Sequence, residues 1–234
     1  MLTAALLLAV SAPAAAVEAG PVSVYRVNPA VDVPVIVASA LAIVLPTLFA
    51  SDLIHPRCPC DPGEVNAFDR HVIGNSSRFM DTASDVTEAV AVIAPLLLDA
   101  ADVGLGQVFL EDATVYAEAL AVDGALTTLT KYATRRPRPL AYSGDPAEIR
   151  STDGYLSFYS GHTSLVTGAM TVTAVTLQKR HGQRVWPWIM AAAVGAVVAV
   201  QRVAAGQHFY TDVVAGFAAG AATGAAVPLL HARF

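Results

Sequence analysis

The chain has 234 residues, of which 55% are hydrophobic and only 14% charged, with a formal net charge of −5. Soluble domains carry about a quarter charged residues, so this composition reads as one integral-membrane domain with room for about six helices of roughly 20 residues. The acidic balance excludes a nucleic-acid partner, because no basic stretch could follow a phosphate backbone. No obligate protein partner is evident.

The first segment, Met1–Gly20, has two readings. Leu2–Val10 has the apolar core of a signal peptide, and Ala12-Pro13-Ala14-Ala15-Ala16 offers small residues for cleavage. No Lys or Arg precedes that core, which weakens the signal-peptide reading, the one favoured, and leaves an uncleaved N-terminal membrane segment as the alternative. Residues 21–234 form a single helical-bundle domain.

Apolar runs follow at 33–50, 84–104, 107–130, 162–180, 185–203 and 208–229. The expected fold is therefore all-α, a polytopic membrane bundle of about six helices. Between the first two runs lie Cys58 and Cys60. Even with His55 they are too few to complete a zinc site, and they read as a surface-loop pair, oxidised if the loop faces an oxidising compartment.

The second run carries Glu88, Asp99 and Asp102, and the third carries Glu111, Asp112, Glu118 and Asp123. Carboxylates at bilayer depth are costly and face a bundle interior or water. Glu111 and Glu118 share one helix face, so that face should avoid lipid. Either the other helices shield these two, or the bundle sits partly outside the membrane. In the last run, Gly216, Gly220 and Gly224 form a small-residue seam for close helix packing.

The turn Gln178–Arg184 contains Lys179, Arg180 and Arg184, as expected of a cytoplasmic loop. Counting from it, the end of run three, the start of run four and the turn between runs five and six all lie on the opposite, non-cytoplasmic face. The same count puts residues 21–32 in the cytoplasm, whereas signal-peptide cleavage would leave them outside.

Three clusters occupy that face. Lys131 ends run three, and Arg135, Arg136 and Arg138 follow, stiffened by Pro137 and Pro139. Ser160-Gly161-His162 opens run four, where unpaired backbone N–H groups attract anions and Gly161 permits close approach of a ligand. Arg202 ends run five, and His208 and Asp212 follow at helical i,i+4 spacing. There the carboxylate can accept from one ring nitrogen and leave the other as a nucleophile. Each cluster alone also reads as ordinary helix-end polarity. Together they supply three cations, two histidines and one carboxylate, an inventory suited to phosphoryl transfer with no metal.

Lys131-x6-Arg138-Pro139, Ser160-Gly161-His162 and Arg202-x5-His208-x3-Asp212 resemble the three-part signature of type 2 phosphatidic acid phosphatases. That superfamily also holds bacterial acid phosphatases and vanadium haloperoxidases. Two positions depart from the pattern: Tyr159 stands where Pro is usual, and Gln201 where Ser is common. The resemblance implies that Lys131, Arg138 and Arg202 clamp the phosphoryl group, with Ser160 and Gly161 adding hydrogen bonds. It further implies that His208 is the nucleophile, that Asp212 orients it, and that His162 protonates the leaving group and then activates water. It implies no cofactor.

The function expected is a lipid phosphate or pyrophosphate phosphatase of the cell (inner) membrane, multi-pass, with its site facing the periplasm or exterior. A soluble or peripheral acid phosphatase acting on small phosphomonoesters is the alternative, and a vanadate-dependent haloperoxidase is a further one. Tyr155, Phe158 and Tyr159 are candidates to line the substrate entrance, and the 140–158 loop is a candidate lid. His55, His71, His181 and His231 lack a matching partner pattern.

Overall fold

The computed structural model describes residues 20–233. Apart from Gly20, the segment read as signal peptide or membrane anchor lies outside the described residues. Among the described residues six long helices build the bundle: α1 (Pro29–Leu48), α2 (Arg78–Val103), α3 (Gln107–Thr134), α4 (Gly161–His181), α5 (Trp186–Ala204) and α6 (Tyr210–His231). Among the described residues no strand forms beyond one isolated antiparallel bridge, Tyr25 with Ala232. The expected all-helical membrane bundle is what the chain adopts.

Length and apolarity mark α1, α5 and α6 as able to cross a membrane. α1 shows why: Val33, Val37, Leu41, Val44 and Leu48 are exposed along it, and its main partner is α3. Water would not tolerate that face, and lipid would. The helices α2, α3 and α4 are as long, but they carry charged or hydroxyl side chains.

Those carboxylates are shielded, as the shared face of Glu111 and Glu118 suggested. Asp112, Glu118 and Asp123 are buried. Asp123 accepts hydrogen bonds from Ser164 Oγ at 2.6 Å and Thr223 Oγ1 at 3.1 Å. Arg180 pairs with Asp99 at 2.8 Å, with Asp102 at 3.2 Å and with Asp112. A residue of the expected basic loop is therefore turned inward to neutralise the acids of α2 and α3. Interior charge of this kind persists only when paired.

The seam on α6 packs against α4, with both helices running in the same direction. A Cβ on Gly220 would lie 2.0 Å from the Ser164 carbonyl oxygen, and one on Gly224 would lie 2.5 Å from that of Gly168. Only glycine permits this approach, which brings the start of α4 beside the start of α6. In a membrane such van der Waals fit replaces the hydrophobic drive that water supplies.

Candidate active site

The starts of α2, α4 and α6 and the ends of α3 and α5 meet at one end of the bundle. They enclose a cavity of about 470 Å³, lined by Lys131, Arg138, His162, Arg202 and His208 from the sequence motifs. Asp81, Asp85, Glu148, Asp153 and Gln207 complete the lining. All three clusters are thus assembled at one place, although about 80 residues separate the first from the last.

Local backbone chemistry sets each side chain. α3 stops after Thr134 because Arg135 adopts a left-handed conformation with φ 49°, and Pro137 and Pro139 forbid continuation. The extended segment beyond it is tied to the 154–157 loop: Arg138 N donates to Gly154 O at 2.8 Å and Ser157 N to Arg136 O at 2.9 Å. Arg138 is buried, pairs with Asp153 at 2.5 Å and donates to Gln207 Oε1. The turn from α5 to α6 depends on Gly206, whose φ is +73° and whose added Cβ would lie 2.0 Å from Asn75 O. That turn sets Arg202 and His208 on the same cavity.

Arg202 donates to Asp81 Oδ1 at 2.7 Å and Ser84 Oγ at 3.0 Å. The Nε atoms of Arg138 and Arg202 are both buried without a hydrogen-bond partner among the described residues. Such donors are costly unless an acceptor arrives. Lys131 lies close by, its Nζ 3.8 Å from where a Cβ on Gly161 would stand. A side chain at position 161 would therefore crowd the ammonium.

His208 is 1% exposed. Its Nδ1 donates to the Ser157 carbonyl at 2.8 Å, which leaves Nε2 as the lone-pair nitrogen. Burial first, and then the positive charges of Lys131, Arg202 and Arg138, hold the imidazole well below its usual range and keep it neutral.

Asp212 lies beside His208 but does not hydrogen-bond it as the i,i+4 spacing suggested. Its Oδ2 stands 3.7 Å from Nδ1, too far for a hydrogen bond. That oxygen instead accepts from Ser157 Oγ at 2.6 Å and Phe209 N at 2.9 Å, and Oδ1 accepts from Arg136 at 2.5 Å. The carboxylate caps α6 and holds Ser157, whose carbonyl in turn fixes the histidine.

His162 Nε2 faces Asp85 Oδ1 at 2.8 Å and Glu88 Oε2 at 3.3 Å. Ser160 is fully buried. Its Oγ caps α4, accepting from Thr163 N at 3.4 Å and Thr163 Oγ1 at 3.0 Å, and it lies outside the cavity lining. Tyr155, Phe158 and Tyr159 do not line the cavity either. Tyr155 OH instead accepts from Arg57 N and Cys58 N, both at 3.1 Å, and donates to Ile149 O at 3.0 Å. The candidate lid does border the site, through Glu148 and Asp153. Cys58 and Cys60 form a disulfide in the loop at this end, which removes them as metal ligands.

Sequence reasoning missed several residues. Asp81 and Asp85, with Glu88 that was named but given no place in the site, lie at i, i+4 and i+7 on α2, a helical period of acids at the start of an apolar run that could have flagged a cavity-facing stripe. Arg136 sat within a named cluster but had no assigned role. It bridges Asp69 at 2.7 Å and Asp212 and lies 4.2 Å from the Phe209 ring centre. Burial opposes ionisation of Asp69, but hydrogen bonds from Thr211, Arg136 and Asn66 outweigh it and hold the carboxyl below its usual range.

Fold and site together define an all-helical membrane protein with a buried histidine and three cations gathered around an open, anion-ready cavity at one end. Residues 112–234 match the PAP2 superfamily, and the chain belongs to that superfamily. Among solved structures it is similar to the first transmembrane PAP2-type phosphatidylglycerolphosphate phosphatase from Bacillus subtilis, with a TM-score of 0.51 and 21% identity over 86% of this chain and 94% of that one. No curated protein matches it.

Proposed function

We propose that the protein is a metal-independent membrane phosphatase that hydrolyses lipid phosphate monoesters or pyrophosphates through a phosphohistidine. The observation that carries this reading is His208: neutral, buried, tied through Nδ1 to a backbone carbonyl, and set among Lys131, Arg138 and Arg202. Nε2 attacks phosphorus as the bond to the leaving oxygen breaks, forming the P–N bond. The three cations stabilise charge that grows on the equatorial oxygens. The unpartnered Nε donors of Arg138 and Arg202 are two groups for that task, and the backbone at Gly161 is a third.

His162 donates a proton to the leaving oxygen. It then takes one from the water that cleaves the P–N bond, releasing inorganic phosphate and restoring His208. Asp85 can hold the second ring proton during the cycle. Asp212 acts at one remove, through Ser157 and the α6 cap, and Ser160 supports the turn rather than the phosphate.

The apolar α1, α5 and α6 favour a lipid substrate over a small soluble ester. The disulfide at the site end supports an oxidising compartment, which agrees with a site facing the periplasm or exterior of the cell (inner) membrane. The neighbour from Bacillus subtilis is by its name a phosphatidylglycerolphosphate phosphatase, so that lipid belongs in the assay beside phosphatidic acid and undecaprenyl pyrophosphate.

The test is phosphate release by the detergent-purified protein at 25 °C in EDTA, with p-nitrophenyl phosphate for comparison and His208→Ala as control. Lipid turnover that survives EDTA and disappears in the variant is expected. Preference for the small ester would favour an acid phosphatase instead. Turnover that persists in His208→Ala would overturn the histidine mechanism.

A further inference from the structure

We infer that Asp32, Glu118 and His231 bind one divalent transition-metal ion of the zinc type, at the end of the bundle opposite the His208 cavity. The three come from different helices: the first turn of α1, the body of α3 and the last residue of α6. Asp32 and Glu118 are 3% and 7% exposed. One donor atom from each lies within 4.8 Å of the other two.

The spacing fits a metal site as well as a long hydrogen-bonded ion pair. His231 Nε2 lies 3.4 Å from Asp32 Oδ1 and 3.5 Å from Glu118 Oε2. A charge-assisted hydrogen bond would draw such atoms to about 2.7–2.9 Å. Two ligands each about 2.0–2.1 Å from a tetrahedral ion stand roughly 3.3–3.4 Å apart, close to what is found.

The imidazole is also oriented for ligation. Its Nδ1 is 2.9 Å from the Val227 carbonyl, so that nitrogen donates to the backbone and Nε2 is the one that points toward the carboxylates. This is the supporting contact usual for a metal-bound histidine. Glu118 Oε2 is buried and accepts no hydrogen bond from any described residue. Asp32 Oδ2 is engaged by Asn28 N at 2.7 Å, which leaves Oδ1 for the cluster. Arg233 nearby is committed to Glu111 and to the Tyr25 carbonyl. Two buried carboxylates beside a single imidazole carry negative charge that a dication would balance. The nitrogen ligand favours zinc-like ions over Mg²⁺ or Ca²⁺.

The ion would pin α1, whose main packing partner is α3, to the chain's other end. Its neighbours already clasp there, with Arg26 N donating to His231 O at 2.8 Å and Arg233 N to Val24 O at 2.9 Å. Its role is structural and independent of the phosphatase reading.

The experiment uses the full-length protein in detergent, stripped with EDTA, dialysed and titrated with Zn²⁺. Cys58 and Cys60 are disulfide-bonded and offer no competing thiolate. The expected result is one zinc per chain by elemental analysis and a Tm that rises with zinc concentration but not with Mg²⁺ or Ca²⁺. His231→Ala and Glu118→Gln should both lose the bound zinc and the Tm response. Glu118→Gln keeps the side chain's shape and carries the test if His231→Ala does not fold, with helix content by circular dichroism as the check. Absence of stoichiometric zinc, or zinc retained in Glu118→Gln, would overturn the proposal.

Discussion

His208 and Ser157 are joined by a 2.8 Å hydrogen bond from the ring Nδ1 to the backbone carbonyl, and this contact, not a carboxylate, sets the orientation of the ring. Asp212 reaches the histidine only through the same serine, whose Oγ it holds at 2.6 Å.

Replacing Asp212 by Asn should therefore cost stability as well as rate. The amide breaks the buried pair with Arg136, and loss of one partner of such a pair costs about 3–5 kcal/mol. Thermal unfolding in detergent should show a marked fall in Tm alongside reduced turnover. An unchanged Tm with a large loss of kcat would show instead that the carboxylate acts directly on the histidine.

Neutral burial of His208 has a pH signature. Its folded pKa lies below the unfolded value of about 6.5, so its contribution to stability is complete above that pH. The contribution is lost progressively as pH falls from there through the folded pKa, because the unfolded chain then binds the extra proton. For the same reason, kcat/KM should show no loss of nucleophile near pH 6.5, only at lower pH. A pH series of kcat/KM and Tm checks both, and an acid limb centred at 6.5 traced to His208 would contradict the burial argument.

Asp85 should matter kinetically. Losing a general acid outright costs about 10²–10⁴-fold. Asp85→Asn keeps His162 but weakens its 2.8 Å contact, so the expected loss in kcat is smaller, about tenfold. The loss should shrink for substrates with better leaving groups, and an equal loss across leaving groups would separate Asp85 from proton transfer.

The α4–α6 seam gives a packing test. Gly220→Val places a side chain where even a Cβ would lie 2.0 Å from Ser164 O, and overpacking costs about 1–3 kcal/mol or more. Expression yield and Tm should both fall. Gly106→Ala, with open space around its Cβ position, is the control and should behave as wild type.

Periodicity, apolar run lengths and the spacing within three short clusters were enough to read the helices, the glycine seam and the candidate catalytic residues from the sequence, because these are local patterns along one chain. The inward face of α3 was legible too, since two acids seven residues apart can share only one side of a helix. The partners were not legible. That Asp81, Asp85 and Glu88 face Arg202 and His162, that Arg180 turns inward to three aspartates, and that Ser157 rather than Asp212 fixes His208 all depend on how separate helices come together. The same holds for His231, which has no sequence pattern around it yet meets Asp32 and Glu118 across the fold. Helix packing decides those distances, and a hydrogen bond needs its donor and acceptor within a narrow range of distance and angle, so only the tertiary structure could select among the partners the sequence allowed.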